Sequence, residues 1–548
     1  MKTQILKIGS ILMLLALIVA PLSGRVQAQE PTLEERIETA VTNGVVWLAA
    51  QQNPDGSWEG WEQAAHTCLA LVKLQERAYD LGYPTPFDPE YEYSENVIAG
   101  WNYLFWTPHV SVQSPLSIQW HGDPDVNGNG YGLYFSTWGS HPTYTTGICL
   151  MALVSSGTPD RPNEGGLDFN GNGNPDTYKE IAQEVMEWLA FGQGDMDWVE
   201  GGWGYSANDN TNYWHADNSV SGYAVLGLAY AEKFGISVPN WVRTELNVWI
   251  NHIQCQDGSG NDGGSGYSWG CDWVNELKTG NLIFELTFYG DDDTAPRFQD
   301  ALAYIERHWQ DQNTDPGWGY NVYPADYQAM YTLMKGLEYS DIKLIDTDGD
   351  GQRDDNWFAQ DPAASPFQDF ANVLLSQQNG DGSWPGCNWG SQVMCTTWAL
   401  LTLEKVAPPP PVIEVPVDIK PASCPNPLNP KDKGLLPVAI AGTAEFDVTQ
   451  IDPATIRLEG VAPLRWSFED VATPYEPYTG KTRSDQCTKA GWDGWLDLGL
   501  KFDIQAVVAA LGPVTNGEVR VLALTGNLKE EFGGTPIYGE AVIIIRKK

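Results

Sequence analysis

Gln51-Gln52-Asn53-Pro54-Asp55-Gly56-Ser57-Trp58 and Gln377-Gln378-Asn379-Gly380-Asp381-Gly382-Ser383-Trp384 are two copies of one turn. Each follows one amphipathic run and precedes another, so each predicts a link between two helices. Asp-Gly makes the tight turn, because glycine is free to take a positive φ. The Trp can pack beneath it, and the Gln can bond backbone groups left free at a helix end. Recurrence so far along the chain marks a repeat protein.

Working outward, residues 33–406 read as six helix pairs. Leu33, Ile37, Val41, Val45 and Leu48 fall on one helical face. Glycine-rich aromatic turns recur at Gly202-Trp203-Gly204-Tyr205 and Gly317-Trp318-Gly319-Tyr320. Second helices carry a small or hydroxyl residue early: Thr67, Thr146-Gly147, Ser221-Gly222, Thr279-Gly280 and Thr397. Such residues would let neighbouring helices approach closely. Repeated hairpins must stack to bury their apolar faces, in an open solenoid or a closed ring.

The Gln-x-x-x-Asp-Gly-Ser-Trp turns, with Thr397-Trp398-Ala399-Leu400 and the segment Asp217-Asn218-Ser219 leading into Gly222–Leu228, resemble the terpenoid cyclase and protein prenyltransferase superfamily. The resemblance implies an all-α (α6/α6) toroid over residues 31–407 with a central cavity. A proline-rich linker is expected over 408–416. Beyond it the period changes to two, as in Val415, Val417, Ile419 and Leu498, Leu500, Phe502. Residues 417–548 therefore predict an all-β sandwich-like domain. Its opening, from Asp418-Ile419-Lys420-Pro421 to Ile440, resembles a module appended to secreted microbial proteins.

Residues 1–28 have the pattern of a signal peptide: Lys2 and Lys7, an apolar run, then Val26-Gln27-Ala28. The apolar run is shorter than the roughly 20 residues a membrane span needs. A secreted or cell-surface location follows, without a transmembrane anchor after cleavage. The chain has 31 basic against 71 acidic residues. That excess argues against nucleic acid and anionic membranes. The 8 cysteines suggest disulfides. Expected pairs are Cys255 with Cys271, Cys387 with Cys395 and Cys424 with Cys487, while Cys68 and Cys149 read as buried helix residues.

Three acidic loops suggest structural calcium. Asp346, Asp348, Asp350 and Asp354 alternate around a glycine, a spacing that wraps oxygens about a hard cation. Asp168, Asn170, Asn172 and Asp176 repeat it, and Asp123, Asp125 and Asn127 form a partial third copy. These loops resemble thrombospondin type 3 and dockerin loops. Lys179 and Trp357 stand where an EF-hand has its last carboxylate. His66-Thr67-Cys68 resembles the zinc-site His-Thr-Cys of prenyltransferases, but Val393 replaces that family's Asp, so zinc is not expected.

Asp291-Asp292-Asp293-Thr294-Ala295 resembles the acid motif of squalene cyclases, which makes Asp292 a candidate proton donor. Its first Asp is replaced by Gly290, and Pro296 begins an outer helix. His141, Tyr144, His215, Asp217, Asp326 and Tyr327 would face a cavity mouth, with helix capping the alternative for Asp217 and Asp326. Of these, Asp292, His215, Asp326 and Tyr327 are the catalytic candidates. Three readings result: a non-catalytic binding protein for a glycan or hydrophobic small molecule, a polysaccharide lyase or hydrolase, and an isoprenoid enzyme.

Overall fold

The computed structural model describes residues 31–547, apart from 60–61, 107–108, 138–140, 197–199, 208–215, 361–367, 388–389, 409–412, 444–445, 513 and 530–535. The expected leader and residues 409–412 of the expected proline linker lie outside the described residues.

The chain opens with α1 (Leu33–Ala50), α2 (Gln63–Asp80) and α3 (Ser94–Leu104). The hairpin of β1 (Val110–Gln113) and β2 (Gly132–Phe135) precedes α4 (Pro142–Ser155) and α5 (Tyr178–Phe191). Next come α6 (Asn218–Ala231), α7 (Asn240–Ile253), α8 (Glu276–Tyr289), α9 (Pro296–His308) and α10 (Tyr327–Tyr339). The short pair β3 (Leu344–Ile345) and β4 (Asp355–Asn356) leads to α11 (Phe370–Gln377) and α12 (Gln392–Leu403).

Hydrophobic patterning sorts these helices into two classes. α9 buries one stripe, Phe298, Ala301, Leu302, Tyr304 and Ile305. α4 buries every residue from Thr145 to Ser155, so it is covered on all sides. Accordingly α2, α4, α6, α8, α10 and α12 pack each on the next, and α12 returns to α2. The one-faced helices lie against this closed cycle, and α1 packs on both α11 and α12.

The repeated turn explains the order. Gly56 has φ +93° and Gly382 +94°; a Cβ would meet Ala99 O at 2.1 Å in the first and Asn43 O at 2.4 Å in the second. Gln52 Nε2 donates to Gly56 O and Asn96 O, both at 2.9 Å. Gln378 Nε2 donates to Gly382 O at 2.9 Å and Ala40 O at 2.8 Å. Each turn thus clamps the next one-faced helix, and the last clamps the first. Beneath them Trp58 Nε1 donates to Leu48 O at 2.8 Å and Trp384 Nε1 to Leu374 O at 2.9 Å.

The hydroxyls early in the following helix act as acceptors for the turn backbone. Thr67 Oγ1 takes Trp58 N at 3.1 Å, Ser221 Oγ takes Trp203 N at 2.9 Å and Thr279 Oγ1 takes Ser265 N at 3.0 Å. In α12 that part falls to Thr396, which takes Trp384 N at 3.0 Å. Thr397 bonds Val393 O within its own helix.

After the linker come β5 (Ile413–Glu414), β6 (Val417–Ile419), β7 (Pro427–Leu428), β8 (Leu435–Ile440), β9 (Ile451–Leu458), β10 (Arg465–Glu469) and β11 (Asp497–Asp503). A helix, α13 (Ile504–Ala510), separates them from β12 (Val519–Leu528) and β13 (Pro536–Ile545). The sheets have orders β10-β11-β8-β6 and β5-β13-β12-β9, with β7 also paired to β13. Both contribute to one apolar core that includes Ile419, Val438, Leu500, Leu524 and Ile543. The helical part has a separate core.

The expected partition into an all-α toroid and an all-β sandwich is overturned: short strands interrupt the helical part and a helix interrupts the strands, so the chain is mixed α/β. The segments between helices hold strands, as in Val110-Ser111-Val112-Gln113, whose alternation is too short to read against its helical surroundings. In the C-terminal part, Asp503 caps α13 by accepting Ala506 N at 2.9 Å. In β12, Leu522, Leu524 and Leu528 are buried and Val519 is exposed.

Four disulfides join Cys68 to Cys149, Cys255 to Cys271, Cys387 to Cys395 and Cys424 to Cys487. The first corrects the reading of Cys68 and Cys149 as merely buried: it ties α2 to α4. Among the described residues no helix is long and apolar enough to cross a membrane.

Candidate functional site

All six helices of the closed cycle point their N-terminal turns at one cavity of about 860 Å³. Helix starts carry polar caps because their first N–H groups have no partner within the helix. Asp217 Oδ1 accepts Val220 N at 3.0 Å, Asn275 Oδ1 accepts Lys278 N at 3.1 Å, and Asp326 Oδ1 accepts Gln328 N at 3.1 Å and Ala329 N at 3.0 Å. Capping therefore puts carboxylates near the cavity wall. The converging positive helix ends favour their charged form, while burial opposes it.

Asp326 lines the cavity, and burial raises its carboxyl to about 6 against the two backbone hydrogen bonds that lower it. Lys278 is held down to about 8 by burial, although Asp315 and Asp272 favour its charge; its Nζ lies 4.0 Å from the centre of the Trp273 ring. On another wall His141 Nδ1 is 2.6 Å from Glu62 Oε1, and the His141 ring packs on Tyr205 at 4.3 Å. Tyr205 and Tyr267 share a 2.9 Å hydrogen bond, and Tyr267 OH donates to Asp217 Oδ2 at 3.2 Å. His66 also borders the cavity, with Nδ1 2.7 Å from Glu59 O; burial lowers its pKa.

Other candidates lie elsewhere. Tyr327 is buried and donates to Gln377 Oε1 at 2.7 Å, away from the cavity. Asp292 is exposed beyond the opposite end of α8 and accepts Thr294 N at 2.8 Å. His215 lies outside the described residues. The cysteines of the zinc-like motif are consumed by disulfides, Cys68 with Cys149 and Cys395 with Cys387. Glu62, Tyr205, Tyr267, Trp273 and Lys278 were missed in sequence. Glu62, Trp273 and Lys278 share a place within a few residues of a helix start, whereas Tyr205 and Tyr267 lie in the preceding turns.

The acidic loops share one backbone design. Asp346 takes Gly349 N at 2.6 Å and Gly351 N at 2.8 Å; Asp348 takes Asp350 N at 3.0 Å; Asp350 takes Gln352 N at 2.8 Å. Asp168 takes Asn172 N at 3.1 Å and Gly173 N at 2.9 Å in the second loop. In the third, Asp125 takes Gly128 N at 2.9 Å and Gly130 N at 2.9 Å, so the frame is Asp125, Asn127 and Asn129. Asp123 precedes that frame and accepts Asp125 N at 3.1 Å.

A further carboxylate closes each loop. Asp176 takes Phe169 N at 2.7 Å, and Asp355, rather than the exposed Asp354, takes Thr347 N at 3.1 Å. Ligand atoms of Asp346, Asp348 and Asp355 lie within 4.8 Å of one another. The third loop borrows its closing groups from α5: Glu187 takes Asn127 N at 3.1 Å, and Glu184 takes Asn127 Nδ2 at 2.8 Å and Asn129 Nδ2 at 2.7 Å. Burial lifts both glutamates to about 7, and each keeps one buried oxygen without a hydrogen bond among the described residues. Asp176 likewise keeps Oδ1 unpartnered. Such arrangements offer oxygen ligands to a hard cation.

No family model and no curated protein matches the chain. Among solved structures it is similar to a type II terpene cyclase from Scytonema in complex with geranylgeranyl dihydroxybenzoate, at 14% identity and TM-score 0.38, covering 68% of this chain and 97% of that one. It is also similar to Salmonella alpha-2-macroglobulin reacted with methylamine, at 11% identity and TM-score 0.30, covering 92% of this chain and 31% of that one. The Escherichia coli alpha-2-macroglobulin from domain MG7 to the C-terminus matches at 13% identity and TM-score 0.30, covering 92% and 75%.

Proposed function

We propose that this is an exported, calcium-stabilised binding protein that takes a hydroxyl-rich, glycan-type ligand in the central cavity and carries no cyclase chemistry. The observation behind it is the make-up of the wall: aromatic faces from Tyr144, Tyr205, Tyr267 and Trp273 interleaved with Glu62, Asp315, Asp326 and Lys278. Aromatic rings cover the apolar faces of a sugar, and fixed polar groups bond its hydroxyls. A hydrocarbon would leave those polar groups desolvated and unpaired. The exposed position of Asp292 gives a cyclase no buried acid at that motif. Export rests on the leader pattern and agrees with four disulfides.

The test is a glycan array with full-length protein, followed by fluorescence titration of the best oligosaccharide. Saturable binding is expected, weakened about tenfold by Trp273→Ala. Uptake of an isoprenoid with no glycan binding would sink the reading.

One arrangement favours a second reading, a carbohydrate-active enzyme. The Glu62–His141 pair stands beside Tyr205, across a cavity that also holds Asp326 with its carboxyl near 6. An imidazole and carboxyls facing one cleft are the groups that acid–base catalysis uses. Release of new reducing or unsaturated ends from the bound glycan, lost in His141→Gln, would favour it over simple binding.

A further inference from the structure

α7 buries Val242, Leu246, Trp249 and Ile250, and Glu245 stands in the same buried stripe. The residue is 5% exposed. One of its oxygens meets His121 Nδ1 at 3.0 Å, while the other is buried without a hydrogen-bond partner among the described residues. Glu200 approaches from the segment after α5, and one ligand atom each from His121, Glu200 and Glu245 lie within 4.8 Å of one another. Two carboxylates thus crowd one imidazole. Burial raises the Glu245 carboxyl, His121 partly offsets this, and Glu200 and Asp195 raise it further.

The three groups are held rather than merely close. Gly201, next to Glu200, has φ +78°, and a Cβ there would meet Glu245 O at 1.8 Å, so only glycine lets this segment lie on α7. Gln193 Nε2 bonds both Gly201 O at 2.9 Å and Val242 O at 3.0 Å, pinning segment to helix. On the other side Gly122, next to His121, rests on the Trp241 ring, where a Cβ would fall 2.3 Å away. Trp120 N donates to Asp195 Oδ2 at 3.1 Å, which links the two segments.

We propose that His121, Glu200 and Glu245 bind a first-row divalent metal of the zinc class, at a site separate from the acidic loops and the central cavity. A His–Glu ion pair alone would occupy one Glu245 oxygen. It would leave the other empty and Glu200 facing a like charge. A divalent ion takes up the charge of both carboxylates and fills the unpartnered oxygen. Imidazole suits zinc, whereas calcium takes oxygen ligands. Three protein ligands leave a fourth position for water on the part-exposed His121 side.

Tag-free, full-length protein is stripped with chelator and dialysed into about 5 mM calcium, which fills sites of the extracellular type. It is then titrated with zinc by calorimetry and with cobalt(II) by visible absorbance. The wild type should bind one zinc per chain, with tetrahedral-type cobalt bands. Glu245→Gln, which keeps the packing volume, and His121→Ala should each weaken zinc by about 100-fold or more, since losing even an outer partner costs 10 to 100-fold. Absence of a zinc equivalent in the wild type, or unchanged affinity in both variants, overturns the proposal. If Glu245→Gln fails to fold, His121→Ala, on a part-exposed segment, decides alone.

Discussion

At the N-terminal end of the ring helices Asp326, Lys278 and His141 border the 860 Å³ cavity. Further along the same helices, Glu285 of α8 and Lys335 of α10 are sealed in the core, each 0% exposed. At the open end every named charge has a cap, a ring or a hydrogen-bond partner. At the sealed end, among the described residues, neither Glu285 oxygen has a hydrogen-bond partner, and Lys335 Nζ reaches Gly222 O, at 3.4 Å, between the rings of Tyr223 and Phe284. Burial accordingly lifts Glu285 to about 8 and lowers Lys335 to about 7. One helix set therefore supports two treatments of charge: coordination where ligand and water can reach, suppression where they cannot.

The largest expected effect lies at the sealed end. Lys335→Met with Glu285→Leu should raise stability in urea unfolding by about 1 to 4 kcal/mol, because two buried groups with no hydrogen bond between them give way to apolar side chains. A loss of stability in the double variant would remove the distinction between the ends.

Calcium comes next. At about ten times its dissociation constant it should add on the order of 1.4 kcal/mol per site. Asp348→Ala with Asp350→Ala should blunt the rise in melting temperature; no rise in the parent chain would refute the loops as calcium sites. Without calcium, pH adds a sharper measure. Glu184, Glu187 and Asp418 are lifted to about 7, above the ordinary carboxylate range. A carboxyl raised in the folded state stabilises fully below its unfolded pKa, and that stability is lost as pH rises through the folded value. Lys73 and Lys335, lowered to about 7, act in the opposite sense above it, because the unfolded chain then binds more protons. Melting temperature in chelator should therefore be lowest near pH 7 to 8, rise toward pH 5, and recover toward pH 10. A maximum at pH 7 to 8 would contradict this assignment.

At the open end effects should shrink. Asp326→Ala loses a cap and about 1 kcal/mol, whereas Asp326→Asn keeps the acceptor and costs only a few tenths. A large loss in Asp326→Asn would mean that its charge, not its cap, supports the fold. Smallest of all, Trp273→Ala should barely shift melting, because the side chain is 47% exposed. Its effect belongs to glycan binding.

Legibility followed sequence distance. The Asp-Gly turns and the caps at Asp217 and Asp326 are local devices, and their residues announce them. Partners from other elements do not. Cys68 meets Cys149 across 81 residues, and Glu184 and Glu187 reach the Asp125 loop from α5. Asp354 and Asp355 are adjacent, and only the β3–β4 pairing decides which turns inward. The cavity wall was half legible: helix starts could be located, but Tyr205 and Trp273 lie in turns with no periodicity to assign a face. The hairpin strands were hidden because four alternating residues carry too little signal beside longer helices.

The bond from Gln378 to Ala40 spans 338 residues. A chain made from its N-terminus would present α1 long before α11 and α12, the helices it packs against, had been synthesised. α1 must wait with its apolar stripe uncovered, and contacts of such separation are slow to form. Neighbouring helices can pack as they emerge, but closure of the cycle waits until α11 and α12 have been made.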